Sequence, residues 1–331
     1  MALKPYFDKG PIRWGFIGCG AVTEVKSGPA YQMTDGFEGC MVMRRDIGKA
    51  RDYAYRHGIP KYTDNAAELI ESPLVDAVYI ATPPDTHKYY ALQVAEAGKP
   101  CCVEKPMAPS FRESLSICQA FEEKNLPLFI AHYRRSLPRF NQVKQWLAKS
   151  LIGDVRHIRW HLGKPPNRKD LNVEYNWRTD PAVAPGGYFD DLASHGLDLF
   201  SYFFGSVKKA QGFARNQMGL YKAFDNIVGN WVYESGVTGQ GSWNFGAHER
   251  EDVVEIYGSK GKIVFSVFDE APIQLTTEAR TESLLIENPK HIQHYHVENI
   301  KRHLIGDAKH PSLGVDGLHI SWLMDQILGK Q

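Results

Sequence analysis

The chain has 331 residues, 39 basic against 38 acidic, and 43% of them are hydrophobic. That length exceeds one ordinary core and predicts two domains. The near-neutral balance removes any bulk electrostatic case for nucleic acid or an anionic membrane, and no stretch has the length of a transmembrane helix.

The N-terminal segment Met1–Gly10 carries Pro5, Asp8 and Lys9 and no apolar core, unlike a secretory signal. Cys19, Cys40, Cys101, Cys102 and Cys118 are odd in number and form no C-x-x-C pair. They point to a reducing cytoplasm, with adjacent Cys101 and Cys102 as small hydrophobes in a buried strand.

Strand and helix signals alternate in the first part of the chain. Ile12–Gly18 is a short apolar run ending in glycine, with a helical pattern after it. Gly39–Arg44 is a second strand. Asp46 suits a helix N-cap, Ala50, Tyr53, Ala54 and His57 repeat at helical spacing, and Gly58 stops them. Asp76–Thr82 is a third strand, Pro84–Gly98 a helix, and Pro100–Glu104 a fourth strand. Ser110 and Glu113 form a capping box for a helix ending near Asn125, and Leu126–Ala131 is a fifth strand. Five strands separated by helices predict a parallel, doubly wound Rossmann sheet over residues 1–133, with ligands along the edge where the strands end.

The pattern then changes. A helix over Leu137–Ser150 leads to a strand over Val155–His161, an irregular stretch over Lys164–Asp170, and a strong helix over Gly187–Phe204. Strand-like runs follow at Ile227–Glu234, Val237–Phe245, Asp252–Tyr257 and Lys262–Phe268, the last two joined by the turn Gly258–Gly261. Helical spacing returns with Val297, Ile300 and Leu304, then Ile320, Leu323, Met324, Ile327 and Leu328. Residues 134–331 thus predict an α+β domain on an open, mostly antiparallel sheet.

The first strand runs into Gly18-Cys19-Gly20-Ala21-Val22-Thr23. Glycines there let the backbone turn tightly and approach a pyrophosphate, although Thr23 replaces the third glycine of G-x-G-x-x-G. Following a first strand and heading a βαβ series, the turn points to a dinucleotide site. The second strand ends in Arg44-Arg45, where an NAD enzyme usually carries a carboxylate. Guanidinium pairs with a 2′-phosphate, so NADP(H) is favoured over NAD(H); the alternative is two solvated arginines with Asp46 on the ribose. Thr82-Pro83-Pro84, Glu104-Lys105-Pro106 and His132-Tyr133-Arg134 end three further strands at the same crevice.

On the Gly187–Phe204 helix, Phe189, Leu192, Ala193, Gly196, Leu199, Phe200 and Phe203 form an apolar stripe. The opposite face carries Asp191, His195, Asp198 and Tyr202, with Asp191 and His195 one turn apart. Carbonyl–alcohol redox moves a hydride and a proton; histidine handles the proton near neutrality, a carboxylate orients it, and a lysine such as Lys105 donates to the reacting oxygen. The alternatives are a surface histidine on an amphipathic helix and a snorkelling lysine.

GFIGCGA (Gly15–Ala21), DAVYIATPPDTH (Asp76–His87), AGKPCCVEKPMA (Ala97–Ala108), and W-R-T-D-P followed by GGYFDDLASHGLDL resemble the glucose-fructose oxidoreductase/inositol dehydrogenase/MocA (Gfo/Idh/MocA) family over nearly the whole chain. The resemblance implies Lys105, Asp191 and His195 as the catalytic set. It implies cofactor contacts at Gly18, Gly20, Ala21, Val22, Arg44, Arg45, Thr82, Pro83, His87, Glu104, Lys105, Trp177 and Arg178. Tyr133 and Arg134 join Asp191 and His195 as substrate residues, and Trp160, His161 and the 164–175 segment shape the substrate end.

The resemblance also implies NAD(P), a sugar, polyol or cyclic hydroxy/keto substrate, and a homodimer or homotetramer formed through the open sheet's face. Two rival readings remain: a cofactor-binding regulator without chemistry, which intact Lys105, Asp191 and His195 oppose, and an NAD-dependent glycosidase. His291-x-x-His294-x-His296 lacks the carboxylate or cysteine pattern of a metal site, and no metal is expected.

Overall fold

The computed structural model describes residues 4–7 and 10–330. Part of the Met1–Gly10 segment therefore lies outside the described residues. The chain forms two compact units. The first runs through Ser136 and adds Pro289–Leu318; the second comprises Leu137–Asn288 and the chain from His319 onward. The sequence boundary at 133/134 falls close to the first break. Pro289–Leu318, which the sequence reading left in the second domain, packs with the first unit.

The first unit holds a six-stranded, all-parallel sheet: β1 (Ile12–Ile17), β2 (Phe37–Met43), β3 (Lys61–Thr63), β4 (Ala77–Ile80), β5 (Cys101–Val103) and β6 (Leu128–Ile130). The order is β3-β2-β1-β4-β5-β6, so the strand order reverses between β1 and β4. That switch point is where such sheets open a crevice. Three-residue β3 is the strand the sequence reading missed: equally short β5 and β6 are wholly apolar, whereas Lys61-Tyr62-Thr63 is mostly exposed and offers no apolar run. The expected helix after β1 is broken into Ala21–Val25 and Gly28–Met33. Pro29 in the first turn of the second piece has no N–H with which to continue the first. Both sheet faces are covered. Trp14, Phe16 and Phe129 pack with Tyr31, Tyr53 and, from the returning helix His294–Leu304, Val297, Ile300 and Leu304.

The second unit holds eight strands: β7 (Val155–Gly163), β8 (Val207–Arg215), β9 (Asn226–Tyr233), β10 (Thr238–Asn244), β11 (Glu251–Gly258), β12 (Gly261–Phe265), β13 (Ile273–Thr277) and β14 (Thr281–Leu284). Their order is β14-β13-β12-β11-β7-β10-β9-β8, and only β7 and β10 run parallel. One face carries the helix Tyr188–Phe204. Its Phe189 and Phe200 meet Trp243 and Trp160 edge to face, at centroid distances of 4.9 and 5.5 Å. A Cβ on Gly196 would lie 2.4 Å from the Trp160 ring, so only glycine lets the helix sit this low on β7. The predicted strand over Lys262–Phe268 stops at Phe265, and the chain then turns through a loop to β13.

Candidate active site

In the first unit, the predicted cofactor residues lie at the strand ends. Gly18 has φ +91°, and a Cβ there would stand 2.9 Å from the Ala81 carbonyl carbon and oxygen. The turn therefore requires glycine on two counts. Gly20 has nothing within 4 Å of its Cβ position, leaving the backbone open to an incoming group. Thr23, in place of a third glycine, is buried and returns its hydroxyl to the Gly20 carbonyl at 2.8 Å. Ala21 and Val22 begin the short helix that follows. Arg44 donates to the Cys19 carbonyl at 2.8 Å, so it braces the turn, while Arg45 is exposed. Asp46 is the N-cap of the helix Ile47–Arg56 and accepts from Lys49 N.

The next strand ends are tied together by His87, which is fully buried. Its Nε2 lies 2.8 Å from the Thr82 carbonyl and its Nδ1 3.0 Å from the Pro106 carbonyl. Burial draws its pKa below the usual histidine value against the pull of these carbonyls. Its ring thus holds the Thr82-Pro83 and Lys105-Pro106 segments rather than facing the crevice. Thr82 Oγ1 is also held, by Thr86 Oγ1 at 2.7 Å.

Beneath Lys105, the buried Glu104 carboxylate accepts from Tyr79 Oη at 2.6 Å and from Gln293 Nε2 at 2.7 Å. Gln293 arrives from a segment 189 residues downstream, and sequence reasoning missed it. Tyr133 and Arg134 form a 3-10 turn after β6 and are both buried, with the guanidinium 5.2 Å from the Tyr133 ring centre.

In the second unit, one helix carries Asp191 and His195. Arg178 Nε donates to Asp191 Oδ2 at 2.5 Å, and the Asp191 side chain is only 13% exposed. The Arg178 guanidinium lies 4.4 Å from the Trp177 ring centre. The segment bearing both is fastened to the helix by Tyr188, which donates to buried Asp170 at 2.6 Å, and by Asn176, which donates to both.

His195 is 6% exposed and Asp198 fully buried. The face expected to carry Asp191, His195, Asp198 and Tyr202 as its polar side is therefore largely enclosed. The Phe268 ring meets the His195 imidazole edge to face at 5.7 Å. Lys164, half-buried at the end of β7, lies 6.0 Å from the Tyr188 ring centre. Burial lowers its pKa and nearby Arg250 lowers it further, while Asp191 opposes them. The catalytic candidates are thus divided between units, Lys105 in the first and Asp191 with His195 in the second.

Two family patterns match the chain. One, described as "Oxidoreductase family, NAD-binding Rossmann fold", matches residues 12–132. The other, "GFO/IDH/MocA C-terminal domain", matches residues 140–264. The chain is 36% identical over 321 residues to Oxidoreductase P35 of Formosa agariphila, covering 96% of this chain and 98% of that one.

The chain belongs to the Gfo/Idh/MocA oxidoreductase family.

It is therefore a nicotinamide-dependent oxidoreductase with an NAD-binding Rossmann domain. Another member, the 1,5-anhydro-D-fructose reductase of Ensifer adhaerens, is 26% identical over 313 residues, 92% of each chain. The fold matches that of an NAD-binding oxidoreductase from Klebsiella pneumoniae with a TM-score of 0.87 at 19% identity, covering 96% of each chain. It also matches a levoglucosan dehydrogenase in complex with NADH and levoglucosan, with a TM-score of 0.84 at 22% identity over 96% of each chain. At such identities these two structures speak for the fold.

The open Gly20 position and the braced Gly18 turn fit a dinucleotide. His291, His294 and His296 have separate neighbours: the Val25 carbonyl at 3.0 Å, Glu298 at 3.2 Å and Cys102 Sγ at 3.7 Å, respectively. Among the described residues no helix is long and apolar enough to cross a membrane.

Proposed function

We propose that this enzyme moves a hydride between a nicotinamide and the CH–OH or C=O carbon of a sugar, polyol or other cyclic hydroxy or keto compound, with His195 as proton donor and acceptor. The carrying observation is the paired placement on one helix: an enclosed imidazole against Phe268, and, one turn away, a carboxylate fixed by Arg178. A freely solvated surface histidine would have neither restraint.

When bound, the nicotinamide takes or returns the hydride. In the oxidative direction the hydroxyl proton passes to the His195 imidazole as the carbon gives up its hydrogen; in reduction the imidazole hands the proton back. Asp191 binds a neighbouring hydroxyl or orients the imidazole. Lys105 holds the reacting oxygen or the nicotinamide ribose. Trp177 and Arg178 flank the cofactor end, and Tyr133 and Arg134 the substrate end. The names of the anhydrofructose reductase and the levoglucosan dehydrogenase support a carbohydrate-like substrate.

Exposed Arg45, beside Arg44, favours a 2′-phosphate and hence NADP(H). The exposed Phe213 and Val228 on the open sheet favour a homodimer or homotetramer, and the unpaired cysteine usage favours the cytoplasm.

The test is a panel of pyranoses, anhydrosugars, open-chain polyols and their keto forms, followed by absorbance of reduced nicotinamide, with NAD(H) and NADP(H) in parallel. Turnover of any member that depends on His195 supports the reading. Release of an aryl glycoside's leaving group without net cofactor reduction would replace it with the glycosidase.

A further inference from the structure

The loop between β12 and β13, Ser266 to Pro272, is held by buried charges on other elements that the catalytic set does not use. Arg139, 2% exposed, donates to the carbonyls of Ser266, Asp269 and Ala271 at 3.2, 2.7 and 3.2 Å. From another direction the buried Asp252 carboxylate accepts from Ser266 Oγ at 2.5 Å and Phe268 N at 2.7 Å. Its other oxygen accepts from Trp160 Nε1 at 2.9 Å. Ser266 Oγ in turn accepts from Asp269 N at 2.8 Å, and the Asp269 side chain pairs with Arg250 at 2.6 Å.

Burying a guanidinium and a carboxylate is expensive unless they are hydrogen-bonded. Here both ions fix the backbone of one short loop. Phe268 is the side chain they aim. Its ring is half-buried, 5.7 Å from the His195 imidazole at 84°, and 6.4 Å from Trp160 at 33°.

We infer that Phe268 is a specificity-determining residue: it holds the plane of the His195 imidazole, and its ring receives the C–H face of a ring-shaped substrate. This deepens the proposed function and rests on it. An aromatic face gains contact area and dispersion from the flat, C–H-rich face of a pyranose or fused anhydrosugar. An open-chain polyol has no such face and turns hydroxyls toward the ring instead. Phe268 therefore selects cyclic over open-chain alcohols, and Arg139 and Asp252 make that selection rigid.

The test is steady-state kinetics of wild type, F268L and F268W with one pyranose or anhydrosugar and one open-chain polyol that the wild type turns over. In parallel, the His195 ring-proton NMR resonance, assigned with H195N, is followed. F268L is expected to raise KM for the cyclic compound fivefold or more, leave KM for the open-chain compound within twofold, and move the His195 resonance. F268W is expected to recover the cyclic preference. A loose structural role would alter both compounds alike; that result, or an unmoved His195 resonance, overturns the inference while leaving the enzyme reading intact. A wild type that turns over neither class overturns the proposed function, and this inference with it.

Discussion

The two units build their functional edges by opposite means. In the first, the proposed cofactor site is built from backbone at the ends of parallel strands. Gly18 and Gly20 shape it, and one brace, Arg44 on the Cys19 carbonyl, steadies it from the next strand. In the second, the proposed catalytic groups are side chains on one helix, and each has a partner from elsewhere: Arg178 for Asp191, and for His195 the Phe268 loop that Arg139 and Asp252 anchor. A site made of backbone turns advertises itself in local sequence. A site made of propped side chains hides its supports in the core.

If that contrast is right, damage to the second unit's props should cost more than damage to the first unit's accessories. The largest effect expected is from Arg139→Met. It leaves three loop carbonyls without their donor, and should lower unfolding stability by about 3 kcal/mol, read from the denaturant midpoint. A midpoint equal to wild type would show the loop needs no such prop.

Gly196→Ala comes next. The added methyl would press on the Trp160 ring, at a cost of about 2 kcal/mol and with reduced turnover from a lifted helix. A stable, fully active variant would mean the helix height over β7 is not critical.

The first unit should show itself instead in acid. His132, His296 and His310 are buried there, and burial lowers their pKa values, that of His310 to about 3. Their folded values lie below the unfolded one, so the neutral imidazoles are stabilising above roughly pH 6.5, and that stability is lost as pH falls below it. In the second unit, buried Asp190 has its pKa raised to about 6 by desolvation. The sign there is reversed: stability grows as pH falls from about 6 toward the unfolded carboxylate value. Thermal unfolding between pH 7 and 5 should therefore resolve a first unit that weakens more than the second. Equal shifts in both would contradict the burial argument.

The smallest effect expected is Arg45→Glu, which should weaken NADP(H) about tenfold with NAD(H) little changed, by fluorescence titration of the reduced cofactors. Equal weakening of both would show that Arg45 reads no phosphate.

How much the sequence disclosed follows the same division. Five of the six first-sheet strands, the Ser110 and Asp46 caps and the Gly18 turn all carry local signals, and all appear. β8, β13 and β14 in the second sheet escaped notice: Lys208, Lys209 and Gln211 in β8 and Thr281 and Glu282 in β14 blur the apolar alternation, and β13 offers only two apolar residues, Ile273 and Leu275. The run Lys262–Phe268 looked like continuous strand. The difference is Ser266, whose hydroxyl caps Phe268 N and Asp269 N and so ends the pairing. Asp191 and His195 stood out as candidates by their spacing, but Phe268, Arg139, Asp252 and Gln293 did not. Phe268 stands 73 residues from His195 (268 − 195), Arg139 130 from Asp269, Asp252 92 from Trp160 and Gln293 189 from Glu104, separations that leave no trace in any local window.

The central claim is that the enclosed imidazole on the second unit's helix carries the proton. His195→Asn keeps the side chain's bulk and removes its titration, so turnover with the best substrate of the panel should fall at least about a hundredfold while reduced cofactor binds as in wild type. Turnover within about threefold of wild type, with cofactor binding preserved, would contradict the account.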